Sequence, residues 1–83
     1  MTRLCDPPLP VTVDLSPEGA PARLVAGGLL GPLRPAARWV ADADWWSRPI
    51  AREYWKVLLG DELLLEVFHD LHEDAWYLER IYD

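Results

Sequence analysis

The segment "AREYWKVLLGDELLLEVFHDLHEDAWYLERIYD", residues 51–83, confines the chain to a β fold. Apolar and polar residues alternate in three runs of strand length, the period-2 signature of strands with one buried face. In the first run Trp55, Val57 and Leu59 point one way and Arg52, Tyr54 and Lys56 the other. In the second, Leu63, Leu65 and Val67 share a face. In the third, Trp76, Leu78 and Tyr82 alternate against Tyr77, Glu79 and Ile81. Gly60-Asp61 reads as a two-residue hairpin loop, with Gly at the first central position as a type II′ turn prefers. "HED", His72 to Asp74, supplies the next turn. The expectation is an antiparallel three-stranded meander with a core of Trp55, Val57, Leu63, Leu65, Val67, Trp76 and Leu78.

Upstream the pattern is weaker. Val11, Val13 and Leu15 alternate with Thr12 and Asp14, "SPEG" is a turn by composition, and "ARLVAG" is a second short strand that Gly27-Gly28 weaken at its end. "LLGPLRP" holds two prolines and is not expected in a central strand. "AARWVADAD" reads as a strand with Ala37, Trp39 and Ala41 on one face and Arg38 and Val40 on the other, and "WWSRP" as a connection. "MTRLCDPPLP" has three prolines in ten residues and reads as a proline-rich arm, residues 1–10, ahead of one small domain, residues 11–83. The fold class is therefore all-β: a small antiparallel meander or partly open barrel of about five or six short strands.

An 83-residue chain has a small core, and five Trp, three Tyr and one Phe fill such a core economically, so aromatic abundance alone does not mark a binding site. Charge is more informative. Residues 61–83 carry eight acids against one base, Arg80, and hold −7 of the net −6, leaving +1 on the first sixty residues. An acidic domain repels phosphate backbones, so nucleic acid is an unfavoured partner. The one cysteine, Cys5, forms no internal disulfide and builds no Cys-type zinc site, which suits a reducing cytoplasm. No leader-like segment follows Met1 and no apolar run approaches 18 residues, so the expected location is cytoplasmic, without membrane insertion. Asn and Gln are absent and Arg outnumbers Lys seven to one, a bias of thermophile proteins and of GC-rich genomes alike.

Few residues offer chemistry. His69, Asp70 and His72 lie together, but strand alternation sends the two histidines to opposite faces, away from a shared ion. Ser16 and Ser47 have no neighbouring His for a hydrolytic triad. Gly27-Gly28 lacks the spacing of a phosphate loop. No catalytic, metal or cofactor site is expected. What remains is "DADWWSRPIAREYW". Adjacent side chains of an extended chain point to opposite faces, so Trp45 and Trp46 are expected to divide, one buried and one at the surface beside Arg48 and Tyr54. Aromatic rings next to arginine have the composition of interface anchors. The candidate partner surface is Trp45, Trp46, Arg48, Arg52 and Tyr54.

The order "RW", "WW", "REYW-V", a Gly-containing hairpin, "EVFHDL" and "WYLERIYD", from about Arg38 to Asp83, resembles a small domain of unknown function. That domain ends ImuB-type proteins, the non-catalytic Y-family polymerase homologues of the bacterial mutasome, and also occurs alone as a short protein. Residues 1–30 match it only loosely. The resemblance implies a non-catalytic protein-interaction module, an accessory of translesion synthesis and DNA-damage tolerance with a polymerase-associated partner. The chain has no polymerase palm, and without Gln it lacks the Gln-led clamp-binding motif, so those functions do not transfer. The alternatives are a single-stranded nucleic-acid module built on an aromatic and Arg platform and a homodimer joined at exposed sheet edges.

Overall fold

The computed structural model describes residues 2–26, 29–43 and 50–82. Six strands form within them: β1 (Thr2–Leu15), β2 (Pro21–Ala26), β3 (Gly31–Ala43), β4 (Ile50–Leu59), β5 (Leu63–Asp70) and β6 (Ala75–Tyr82). Every pairing is antiparallel between neighbours in the chain, and β1 also pairs with β6, so the sheet closes on itself. The all-β expectation is borne out, with β1 and β3 longer than anticipated. Among the described residues, closure between β2 and β3 rests on two residue pairs, Arg23 with Pro32 and Leu24 with Gly31.

The C-terminal meander follows the alternation. Trp55, Val57, Leu65, Val67 and Leu78 are buried in one cluster with Leu24 and Leu33, and Leu63 and Trp76 pack half-buried against it. Gly60 and Asp61 both have φ of 60°, the pattern of a type I′ turn rather than the expected type II′, and Glu62 N–H closes the turn on the Leu59 carbonyl at 3.1 Å. The second turn starts one residue earlier than "HED", at Leu71. Asp70 Oδ1 accepts from the backbone N–H groups of His72 (3.0 Å) and Glu73 (3.1 Å), an Asx-turn that fixes where β5 ends.

Three expectations need correction. Residues 2–10 are the first part of β1 rather than an arm: Thr2 to Leu4 pair with Arg80 to Tyr82, and Leu9 to Val11 pair with Trp76 to Leu78. The ladder breaks between Leu4 and Leu9, where Pro7 and Pro8 have no N–H to give. "GPLRP" lies inside β3, because Pro35 sits at a bulge: the register slips between Pro35 and Ala37 and leaves Ala36 unpaired. A second bulge, at Glu79, shifts the β5–β6 register between Val67 and Glu66. It exchanges the faces of the last residues, so Ile81 packs on the core and Tyr82 turns outward.

The two longest stretches of strand edge that carry no second strand among the described residues are Thr2–Val11 of β1 and β3 beyond Pro32. They differ in protection. The β1 edge holds Pro7, Pro8 and Pro10, which cannot sustain a ladder. The β3 edge holds no proline after Pro35, and in Ala36–Ala41 its one charged residue is Arg38.

Candidate functional site

Along β3, β4, β5 and β6 the outward-pointing residues at one level are aromatic. Trp39 pairs with Tyr54, Tyr54 with Phe68, and Phe68 with Tyr77. Residues directly opposite on antiparallel strands sit close enough for their side chains to pack, and here the rings form a row. Trp39 and Tyr54 stack with centroids 5.4 Å apart and planes 6° from parallel. Tyr54 and Phe68 are tilted at 5.3 Å, and Phe68 and Tyr77 stacked at 5.2 Å. The Arg52 guanidinium lies 4.5 Å over the Phe68 ring and Arg52 Nη1 donates to Tyr54 Oη at 3.4 Å. Rings on both sides and a cation above leave Phe68 only 2% exposed on the outside of the sheet. Beside it, Pro7 and Pro8 of β1 with Arg52, Phe68 and Tyr77 line an open cleft of ≈ 240 Å³.

Trp39 ends the row on the unpaired edge of β3. It is 38% exposed, and Val40 beside it 52%. One face of the indole is stacked on Tyr54, and no strand lies beyond the other among the described residues.

Of the five residues expected to form the partner surface, Arg52 and Tyr54 stand in this row. Trp45, Trp46 and Arg48 lie outside the described residues, as do Ser47 and Gly27-Gly28. Trp39, Phe68 and Tyr77 belong to the row and were missed as site residues. Their signal is parity: each occupies an outward position of its strand. The row becomes visible only once the three registers are fixed.

Charged groups gather elsewhere. Arg38 donates Nε (3.0 Å) and Nη2 to Glu53 Oε2, and the Trp55 indole donates to Glu53 Oε1 at 3.1 Å. Burial pushes the Glu53 carboxyl up, but these hydrogen bonds outweigh it and hold the group below the ordinary glutamate value. His69 Nε2 lies 2.7 Å from Asp74 Oδ1 and its ring stacks on Trp76 at 4.6 Å, whereas His72 is exposed in the turn. The two histidines therefore do not converge, and no group of three metal-ligating side chains occurs among the described residues.

On the outer face, Glu66 is 7% exposed, accepts from Tyr82 Oη at 3.2 Å and pairs with Arg80 Nε at 3.4 Å. The Lys56 ammonium sits 5.0 Å over the Tyr82 ring. The bulge brings Glu79 to the same cluster, where burial, then a hydrogen bond and repulsion from Glu66, raise its carboxyl above the ordinary 4.5. A raised folded-state value stabilises the fold below the unfolded value, and that stability is lost as pH rises through the folded value. Glu79→Gln is therefore expected to lose less stability than the native chain as pH climbs from about 4.5 toward neutrality. Melting temperature against pH for the two chains checks this, and parallel curves would contradict it.

Among the described residues no helix is long and apolar enough to cross a membrane. No family model matches the chain, and neither a curated protein nor a solved structure matches it.

Proposed function

We propose that the chain is a non-catalytic protein-interaction module whose docking surface is the Trp39 end of the aromatic row together with Arg52 and Tyr54. One observation carries this reading: the row stops at a strand edge that holds no proline after Pro35 and that, among the described residues, carries neither a second strand nor a ring on the far face of the partly exposed Trp39. Aromatic and arginine side chains at such a place have the composition of binding hot spots, and an open edge supplies main-chain donors and acceptors to an extended partner. The resemblance to the ImuB-type tail, carried by "REYW-V" and "WYLERIYD", adds the context: an accessory of DNA-damage tolerance that binds a polymerase-associated protein in the cytoplasm.

Affinity capture from a lysate of the source organism, with native and Trp39→Ala domains as bait, tests the reading. A protein held by the native domain should be lost about 30-fold or more from the variant, the hot-spot scale of about 2 kcal/mol. Equal capture by both baits would overturn it.

The nucleic-acid alternative has less support. A base stacks on an open ring face, and within the row each ring spends at least one face on its neighbour. The acidic segment 61–83 supplies all of β5 and β6, two of the four strands that carry the row. Single-stranded oligonucleotides are expected to bind with a dissociation constant weaker than about 1 µM at physiological salt. Filter binding measures it, and tighter binding would favour the alternative.

A further inference from the structure

We infer that the unpaired edge of β3 pairs with β3 of a second copy of this chain, antiparallel and centred on Trp39. The inference rests on the protein-interaction reading of this edge and names one occupant for it. A strand added to β3 must bring its own run of free donors and acceptors, without proline, over the same length. Among the described residues two long stretches carry a strand on one side only, and a third, Thr12–Leu15 of β1, pairs with β2 but not with β6 and is too short, at four residues, to span β3. The Thr2–Val11 edge is interrupted by Pro7, Pro8 and Pro10, and the β3 edge from Ala36 to Ala43 is not. The strand in this chain that can complete β3 is therefore another β3.

Register follows from chemistry. Pairing centred on Arg38 would set two like charges opposite each other, which is unfavourable. Pairing centred on Trp39 sets Arg38 against Val40 of the other copy and Ala37 against Ala41. Neither contact opposes like charges. The two indoles then meet across the two-fold axis. Directly opposite residues approach to about 4.5–5.5 Å, the same spacing as the 5.2–5.4 Å steps of the row. The two rows become one run of eight rings, and each Trp39 gains a neighbour on the face away from Tyr54. The acids concentrated in residues 61–83 lie outside β3 and β4, which limits repulsion between two chains of −6. A contact of one strand pair and two indoles buries less than a standard interface of about 800 Å² per partner, so the dimer is weak, with a dissociation constant on the order of 10 µM or weaker.

Sedimentation equilibrium from about 5 µM to about 1 mM is the test, run on the native chain, Trp39→Ala, Val40→Lys and Val40→Glu. Val40 is half-exposed, so all of these are expected to fold, and a melting curve for each verifies it. The native chain should pass from monomer to dimer. Val40→Lys places lysine against Arg38 of the other copy and should weaken the dimer at least about fivefold, whereas Val40→Glu places a carboxylate there and should not weaken it. Trp39→Ala should weaken it most. A native chain that stays monomeric at the highest concentration overturns the inference, and so does equal weakening by Val40→Lys and Val40→Glu. A monomer that still captures another protein through Trp39 overturns the second copy alone. A dimer that captures nothing overturns the accessory reading and leaves this one standing.

Discussion

Replacing Trp55 with Ala is expected to leave little folded protein. The side chain is 9% exposed in the centre of the closed sheet, between Arg38 on β3 and Val67 on β5. Deleting a buried Trp removes its burial and leaves a cavity, at about 3–5 kcal/mol. A domain of this size holds roughly 4–12 kcal/mol in all, so the loss takes a large share. The substitution also removes the indole donor from Glu53 and one wall under the Arg38 guanidinium, which lies 5.6 Å from the Trp55 ring centre. Urea denaturation checks it, with Trp55→Phe as a companion that keeps most of the volume and gives up the hydrogen bond. A cost below about 1 kcal/mol would show that Trp55 does not anchor the core.

The second large effect belongs to a residue on the outside of the sheet. Phe68→Ala is expected to cost about 3–4 kcal/mol, close to a core substitution, although Phe68 shares its parity with Glu66 and Asp70. Its burial comes from Tyr54, Tyr77 and Arg52, which enclose the ring. Aromatic pairs contribute about 0.5–1.5 kcal/mol each beyond their area, and removal of Phe68 breaks two of them. The same denaturation measurement applies. A change within about 0.5 kcal/mol, the range of ordinary surface positions, would mean that the row is not a packed layer.

The burial of Phe68 shows where the sequence stops being legible. Alternation places Val57, Leu65 and Val67 correctly in the core, because in β4 and β5 the ladder runs without a bulge and parity is preserved. It fails at Glu79, where one extra residue reverses the faces of Ile81 and Tyr82, and nothing in "LERIY" announces the bulge. It fails at Pro35 for a related reason: a proline excludes a regular ladder position but not a bulge beside one. The N-terminal segment looked like an arm because three prolines hide its period, yet Leu4, Leu9 and Val11 all pair with β6. Arg52 and Tyr54, singled out in the sequence from their place beside aromatic neighbours, stand in the row. Trp39, Phe68 and Tyr77 were not singled out, because their contacts are non-local and depend on three strand registers at once.

Trp39 carries the central claim, that the exposed end of the aromatic row serves association rather than stability. The measurement that tests it most directly is the melting temperature of Trp39→Ala taken together with its capture and self-association. The claim predicts a stability loss of about 1 kcal/mol or less, a shift of roughly 4–8 °C at most, with capture reduced at least about 30-fold and self-association weakened as well. A Trp39→Ala chain destabilised as deeply as Trp55→Ala, yet associating as the native chain does, would contradict it.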